Sequence, residues 1–599
     1  MLRRAILRGQ ICLLASLAVL LLWQLPSSGV VGLETGEQVT VSMNKVWPIN
    51  NPTEMYPYYS LPFCTPPEVQ TKYMTFGQIM RGDRLVNSLY NINYRENQER
   101  KPICERALSE DDVDAMRNAI ENSYMFEIFV ADLPVVRPLG IRTKENGQIK
   151  YWLVNNMDFN LGYNEGQVVA VNITTDVDLF DITQHKDGMK AQFSYSVNWF
   201  PSTIPASSRL QQQLAGSFTH HTQSLDIHWL AIINSFVLVL LIVSLLLLII
   251  LRVVRSDLSK YLHIPDEELT AGGEEESGWK LLHADVFRAP QHRMWFCALV
   301  GAGAQLFLMV IGTVLVGTSG LYLFERGGVL TFAFATFLVT AFLAGYLSAW
   351  LYRKLGGQKW AWNIVITAMM FVGPLFVIWS FLNSVAWAHQ STAALPFTTV
   401  IFLFFSWSCV TVPLTVLGGI MGRSNAAKWV DAGQAFPCKT NKLAREIPQC
   451  HWYHAPLAQM FASGFLPFSA IYIELHYVFS SVWGTKIYTL YGILLLTFVM
   501  LLLVASTVSV LLTYFHLNAE DHRWWWRSFG SGGSVSLFFY VYCIYYFFTS
   551  TRMFGFLQCS FFFGYSLLVA WGIFLMMGFV TFISNFVFVN YIYSRIKSD

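Results

Sequence analysis

The sequence predicts an α+β membrane protein: an N-terminal luminal β-rich, sandwich-like domain followed by a bundle of nine transmembrane helices. Three observations carry this. The 599 residues are 54% hydrophobic and only 13% charged, too apolar for an ordinary soluble enzyme. From Leu230 onward, apolar runs recur with short breaks, each near the roughly 20 residues that cross a hydrocarbon core. Before Leu230 the pattern alternates with period two between Gly, Pro and Asn turns, as half-buried strands do.

Taken in order, residues 1–29 read as a secretory signal peptide. Arg3, Arg4 and Arg8 precede the apolar stretch "ICLLASLAVLLLW", and Pro26 with small residues through Gly29 closes it. Residues 30–229 then form the luminal domain, with strands at "QVTVSMNKV", "QVVAVNIT" and "AQFSYSVNW". One helix interrupts them at "SEDDVDAMRNAI". There Ser109 caps, Asp111 and Asp112 favour the first turn, and Val113, Met116 and Ile120 share one face. Cys64 and Cys104 are the two cysteines of this stretch; an oxidising lumen lets them pair but does not require it. Asn172, in Asn172-Ile173-Thr174, is an N-glycosylation acceptor.

Residues 230–588 hold the nine spans, placed at 230–251, 296–316, 330–350, 364–381, 397–418, 457–477, 487–510, 529–550 and 560–588. A luminal start and nine crossings leave the tail, 589–599, in the cytosol. Lys and Arg in the cytosolic segments number 6, 3, 5, 2 and 2, against 1, 0, 1 and 1 in the luminal loops, as the positive-inside rule requires. The first cytosolic loop carries "PDEELTAGGEEESG", the composition of a mobile solvated linker.

Chemistry-bearing motifs are sparse. The net charge of +2 gives no basic surplus for nucleic acid, and there is no phosphate loop, zinc spacing or nucleophile elbow in a suitable context. No cofactor or metal is therefore expected. Cys438, Cys450, His451 and His454 in one loop suggest a metal site, but their spacing fits no standard zinc pattern and reads as thiols that stay reduced in the cytosol. Glu474 is the candidate intramembrane polar site. It lies in "GFLPFSAIYIELHY", and a span starting at Leu457 places it at the luminal interface. Trp524, Trp525 and Trp526 with Arg523 and Arg527 read as cytosolic interface anchors, the alternative being a cytosolic lid or partner contact; consecutive residues 100° apart cannot share one helix face. Gly301, Gly303, Gly418 and Gly422 mark close helix packing or a groove for another protein's span. Arg595 and Lys597, after the last span, read as stop-transfer charges.

Several longer stretches carry a resemblance: "NPTEMYPYYSLPFC" at Asn51, "GDRL" at Gly82, "SYSVNW" at Ser194, "IHWLAIINSF" at Ile227, "GWKLLHADVFR" at Gly278, "GFLPFSAIYIEL" at Gly464 and "AEDHRWWWRSF" at Ala519. Through them the chain resembles the transmembrane 9 superfamily, the nonaspanins, over essentially its whole length. "WAWNI", "AREIP" and "YTLYGIL" look most like its member 1 branch. The resemblance implies Golgi and endosomal or lysosomal residence and a non-enzymatic role in sorting client membrane proteins with glycine-rich spans. It also implies links to adhesion and autophagy. Family members end in Lys-x-Asp or Lys-x-Glu, a signal for the COPI coat, and this chain ends Lys597-Ser598-Asp599. The expected partners are membrane lipid, client spans and that coat; an ion or small-molecule transporter, or a lipid-binding protein, is the alternative. The sequence sets no oligomeric state.

Overall fold

The structure is a computed structural model that describes residues 32–594, apart from 50, 146, 176–177, 187, 211, 214–228, 263–277, 320–326, 449–450, 453–454, 484–490, 552 and 554. The signal segment, nearly all of the acidic loop, Cys450, His454 and the tail residues Lys597 and Asp599 lie outside the described residues.

Two sheets dominate the N-terminal domain. In one, Val41–Pro48 pairs with Tyr124–Val130, which hairpins back onto Leu133–Pro138. In the other, Asn156–Asn164 lies between Gln167–Thr174 and Lys190–Pro201, and Gln98–Ala107 closes the far edge. The pairing of Asn156–Asn164 with Lys190–Pro201 is parallel, whereas its pairing with Gln167–Thr174 is antiparallel. Alternate residues of both sheets meet in one core, with Met43, Phe126, Ile128 and Val135 from the first and Phe159, Leu161, Ile173 and Val197 from the second. This is the expected sandwich. The helix Glu110–Glu121 packs onto it through Val113, Met116, Ala119 and Ile120. Ser109 accepts from the Asp112 backbone N–H while the Asp112 carboxylate accepts from the Ser109 N–H, a capping box. Cys64 and Cys104 form a disulfide with Cα atoms 6.3 Å apart, tying the first strands' loop to the edge strand. Asn172 is exposed on the opposite edge strand, where its Oδ1 accepts from Arg137.

Among the described residues, nine helical stretches are long and apolar enough to cross a membrane: Ile232–Ser256, Arg293–Ser319, Gly328–Lys354, Trp360–Ala388, Phe397–Asp431, Pro456–Val482, Tyr491–Asn518, Trp524–Ser550 and Phe556–Tyr593. Several outrun the apolar windows because a helix continues after hydrophobicity ends. The fifth span contains a π-turn at Trp407–Thr411, just before Pro413. Proline cannot donate to the preceding turn, and the wider turn absorbs that loss.

The β-rich domain sits on one end of this bundle. The Met55 carbonyl accepts from the Thr392 N–H and the Ser391 hydroxyl in the loop between the fourth and fifth spans. Arg84, of the "GDRL" stretch, donates to the Ala394 carbonyl there. Glu54 accepts from Gln558 at the start of the ninth span.

Candidate functional site

The opposite end of the bundle gathers most of the chain's remaining polar chemistry, and it is built from the loops between spans. The seventh span ends at Asn518, and Glu520 takes a left-handed φ of 60° to turn the chain. Asp521 lies in the turn just before the helix Trp524–Gly533, its Oδ1 accepting from the backbone N–H and Nε of Arg523, both at 3.0 Å. Its Oδ2 accepts from Arg523 Nη2 at 2.9 Å and Arg527 Nη2 at 3.2 Å. The carboxylate is buried, with a side chain 2% exposed. Burial raises its pKa, but the Arg523 hydrogen bonds and the Arg527 charge outweigh burial and hold it at about 2.

Arg527 Nη1 lies 2.9 Å from His516 Nδ1. A guanidinium can only donate, so Nδ1 carries the lone pair and the ring proton sits on Nε2, which faces Asp521 Oδ2 at 3.5 Å. A small crevice between the sixth, seventh and eighth spans opens beside this cluster, lined by Gln459, Ser509, Thr513, His516, Arg527 and Ser531. From it a polar chain runs into the bundle. Ser509 and Ser531 hydroxyls are 2.6 Å apart, Asn585 donates to Ser509 at 2.7 Å, and Ser463 donates to the Ser531 carbonyl at 3.1 Å.

Other loops lock onto the same cluster. Trp524 donates its indole N–H to the Val286 carbonyl and Trp526 to that of Gln291, both at 2.8 Å. Arg288 bonds the carbonyls of Asn441 and Leu443. Arg445 pairs with Glu520 at 3.0 Å, and Tyr593 donates to the Trp279 carbonyl at 2.6 Å. The stretch "GWKLLHADVFR" is thus the hub of a loop platform.

The tryptophans depart from the expected interface anchors. Trp524 and Trp525 are buried and stacked 4.4 Å apart, packed on Phe582 of the ninth span. Phe296 of the second span meets Trp525 and Trp526 edge-on. The protein interior, rather than a lipid boundary, takes these rings. Arg523 is largely exposed while it bonds Asp521, and Arg527 is largely enclosed.

The glycines are likewise used within the bundle. A Cβ at Gly418 would lie 1.9 Å from the Phe342 carbonyl oxygen, and one at Gly422 2.2 Å from that of Tyr346. Gly301 meets the Ala344 carbonyl and Gly303 that of Leu575. They bring the third span against the second and fifth, and the second against the ninth, so they form no open groove. The spacing of Gly418 and Gly422 signals packing; Gly345 and Gly532 approach the Thr415 and Met577 carbonyls as closely, and "GSGG" at Gly530 is the sequence signal for the second.

Glu474 also differs from expectation. The sixth span continues to Val482, so this carboxyl stands eight residues, roughly 12 Å, inside the helix end, and it is buried. Burial pushes the Cys438 thiol up, and its sulfur faces the Tyr593 carbonyl. His451 is exposed, and among the described residues no group of three metal-ligating side chains gathers.

A β-rich domain docked on nine apolar helices whose loops interlock at the other end defines a polytopic membrane protein. The profile of the EMP70 family, endomembrane protein 70, matches residues 55–556. The chain is 42% identical to transmembrane 9 superfamily member 4 of Arabidopsis thaliana over 94% of this chain and 95% of that one. It is 41% identical to member 1 of Mus musculus, with 95% of each covered. The chain belongs to the transmembrane 9 (EMP70) superfamily. No solved structure matches it.

Proposed function

We propose that this protein is a non-enzymatic sorting factor of Golgi and endosomal membranes that binds client spans within the bilayer, with its β-rich domain luminal and its tail cytosolic. One observation carries the client reading: the first span is the least buried of the nine. Only 11% of its most apolar stretch is covered, against 17–44% for the other eight. Its covered side chains, Val239 and Val243, pack with Ala470, Val504 and Val508 of the sixth and seventh spans, and Leu241, Leu245 and Leu248 point away. The segment from Trp229 to Leu262 contains no glycine. Large side chains on this face suit a client whose own small residues let its backbone approach. Gly301, Gly303, Gly418 and Gly422 are already engaged inside the bundle.

A photoreactive residue at Leu241 or Leu248 should capture membrane proteins with glycine-rich spans, and leucine replacing those client glycines should lower capture about tenfold. Capture that ignores the client glycines would defeat the reading.

The tail supports the trafficking half. Lys597 offers a compact cation, and Asp599 with the terminal carboxylate offers paired anions to a coat subunit. Appending a few alanines after Asp599 keeps every charge near the membrane but moves the terminus. Coat capture and Golgi location should be lost; if both persist, the tail only anchors the last helix.

A further inference from the structure

Residues 69–80 run from the β-rich domain along the flank of the bundle. Thr75 and Gln78 form a capping box that starts the short helix Phe76–Met80, and its second residue, Gly77, touches Gly327 at the head of the third span. A Cβ on Gly77 would lie 2.1 Å from the Gly327 carbonyl oxygen, so this contact is backbone on backbone. Phe76 inserts between the third and fifth spans, its ring 4.9 Å from that of Phe334 and 5.8 Å from that of Phe402.

These contacts fix a depth. The third span has 27 residues, roughly 40 Å at 1.5 Å each, against a hydrocarbon core of about 30 Å. About 5 Å of helix therefore projects at each end. Phe334 stands six residues past Gly328, roughly 9 Å along the helix, so the Phe76 ring reaches just below the hydrocarbon boundary. Residues 70–72 pair with Leu85–Asn87 of the β-rich domain, and the segment turns apolar side chains outward above the Phe76 ring. Tyr73 is 93% exposed, and Val69 and Met80 are also exposed. Leu330 and Phe402, beside the wedge on the spans themselves, are exposed too, which makes the surface continuous with the lipid-facing side of the bundle.

We propose that residues 69–80 form a membrane-interface wedge, in which Tyr73, Met80 and Val69 contact phospholipid at the boundary between headgroups and acyl chains. An amphipathic tyrosine ring suits that layer, and Phe76 with Gly77 sets how deeply it sits. The wedge holds the β-rich domain to the bilayer as well as to the span ends.

The test uses the full-length protein in phosphatidylcholine nanodiscs, with a benzophenone amino acid at Tyr73 or, as a comparison, at Ile149. Ile149 is also an exposed apolar position, on the hairpin formed by Gly140–Glu145 and Gln148–Leu153. Phospholipid adducts at Tyr73 should exceed those at Ile149 by at least about fivefold, and adding Gly77→Ala should lower them as the wedge lifts. Equal labelling at the two positions, or adducts at Tyr73 to protein alone, would overturn the proposal.

Discussion

Gly418→Ala is expected to cost about 3 kcal/mol of stability and Gly418→Leu to abolish accumulation of folded protein. A Cβ at this position meets the Phe342 carbonyl carbon at 2.9 Å and its oxygen at 1.9 Å. Both are backbone atoms of a helix and cannot rotate away. Relief requires the third and fifth spans to separate, and Gly345, whose own Cβ would meet the Thr415 carbonyl oxygen at 1.9 Å, holds them together from the other side. Overpacking a well-filled interface costs typically 1–3 kcal/mol, and the rigid partner puts this site at the upper end. Gly373, in the fourth span, has nothing within 4 Å of the same added atom. Gly373→Ala should therefore be neutral or stabilising by up to about 1 kcal/mol, the helix-propensity gain. Thermal midpoints in nanodiscs decide the matter: equal shifts for Gly418→Ala and Gly373→Ala would mean that the interlock does not hold the bundle together.

Where the chain's own periodicity sets structure, the sequence was readable. The strands at Val41, Gln167 and Lys190 alternate because one face of each sheet enters the shared core, and Ser109 announced its helix through a local hydrogen bond. Span existence was equally plain, since apolar length is a property of the segment itself. Span ends were not, because Trp360, Asn363 and the residues from Val478 to Val482 continue helices beyond the apolar stretch. Partners were least legible. Trp524 at a lipid boundary and Trp524 under the Val286 loop are the same letters; only the distant segment at 278–288 distinguishes them. Glu474 shows a further limit, since its depth follows from where the helix stops. On the buried face of its span, Ser463 and Glu474 are eleven residues apart, roughly 16 Å. Pro467 and Ala470 lie between them, and Ala470 is packed among Val239, Val504 and Val508.

Asp521→Ala should destabilise the protein by about 3–5 kcal/mol, the usual cost of removing one member of a buried charged set. Without the carboxylate, Arg527 and Arg523 stand as unbalanced cations beside the His516 N–H, and the residue before the helix at Trp524 loses the acceptor for its backbone N–H. The pH dependence separates this charge effect from lost packing. The folded carboxyl is held at about 2, below the roughly 3.9 of an unfolded aspartate. The unfolded state therefore binds the proton first as pH falls, so the stabilisation is fully present above about pH 4 and is lost on acidification towards pH 2. The shift corresponds to about 2–3 kcal/mol. Asp521→Asn preserves the shape and one acceptor oxygen, so it should cost less than alanine at neutral pH. It should also remove this share of the acid sensitivity. Comparing the wild type with Asp521→Asn at pH 5 and pH 2.5 cancels the other carboxylates, and the gap between their stabilities should narrow by about 1–2 kcal/mol. A gap unchanged between the two pH values would mean that Asp521 is held by shape and hydrogen bonds alone, and that the cations around it do not set its ionisation.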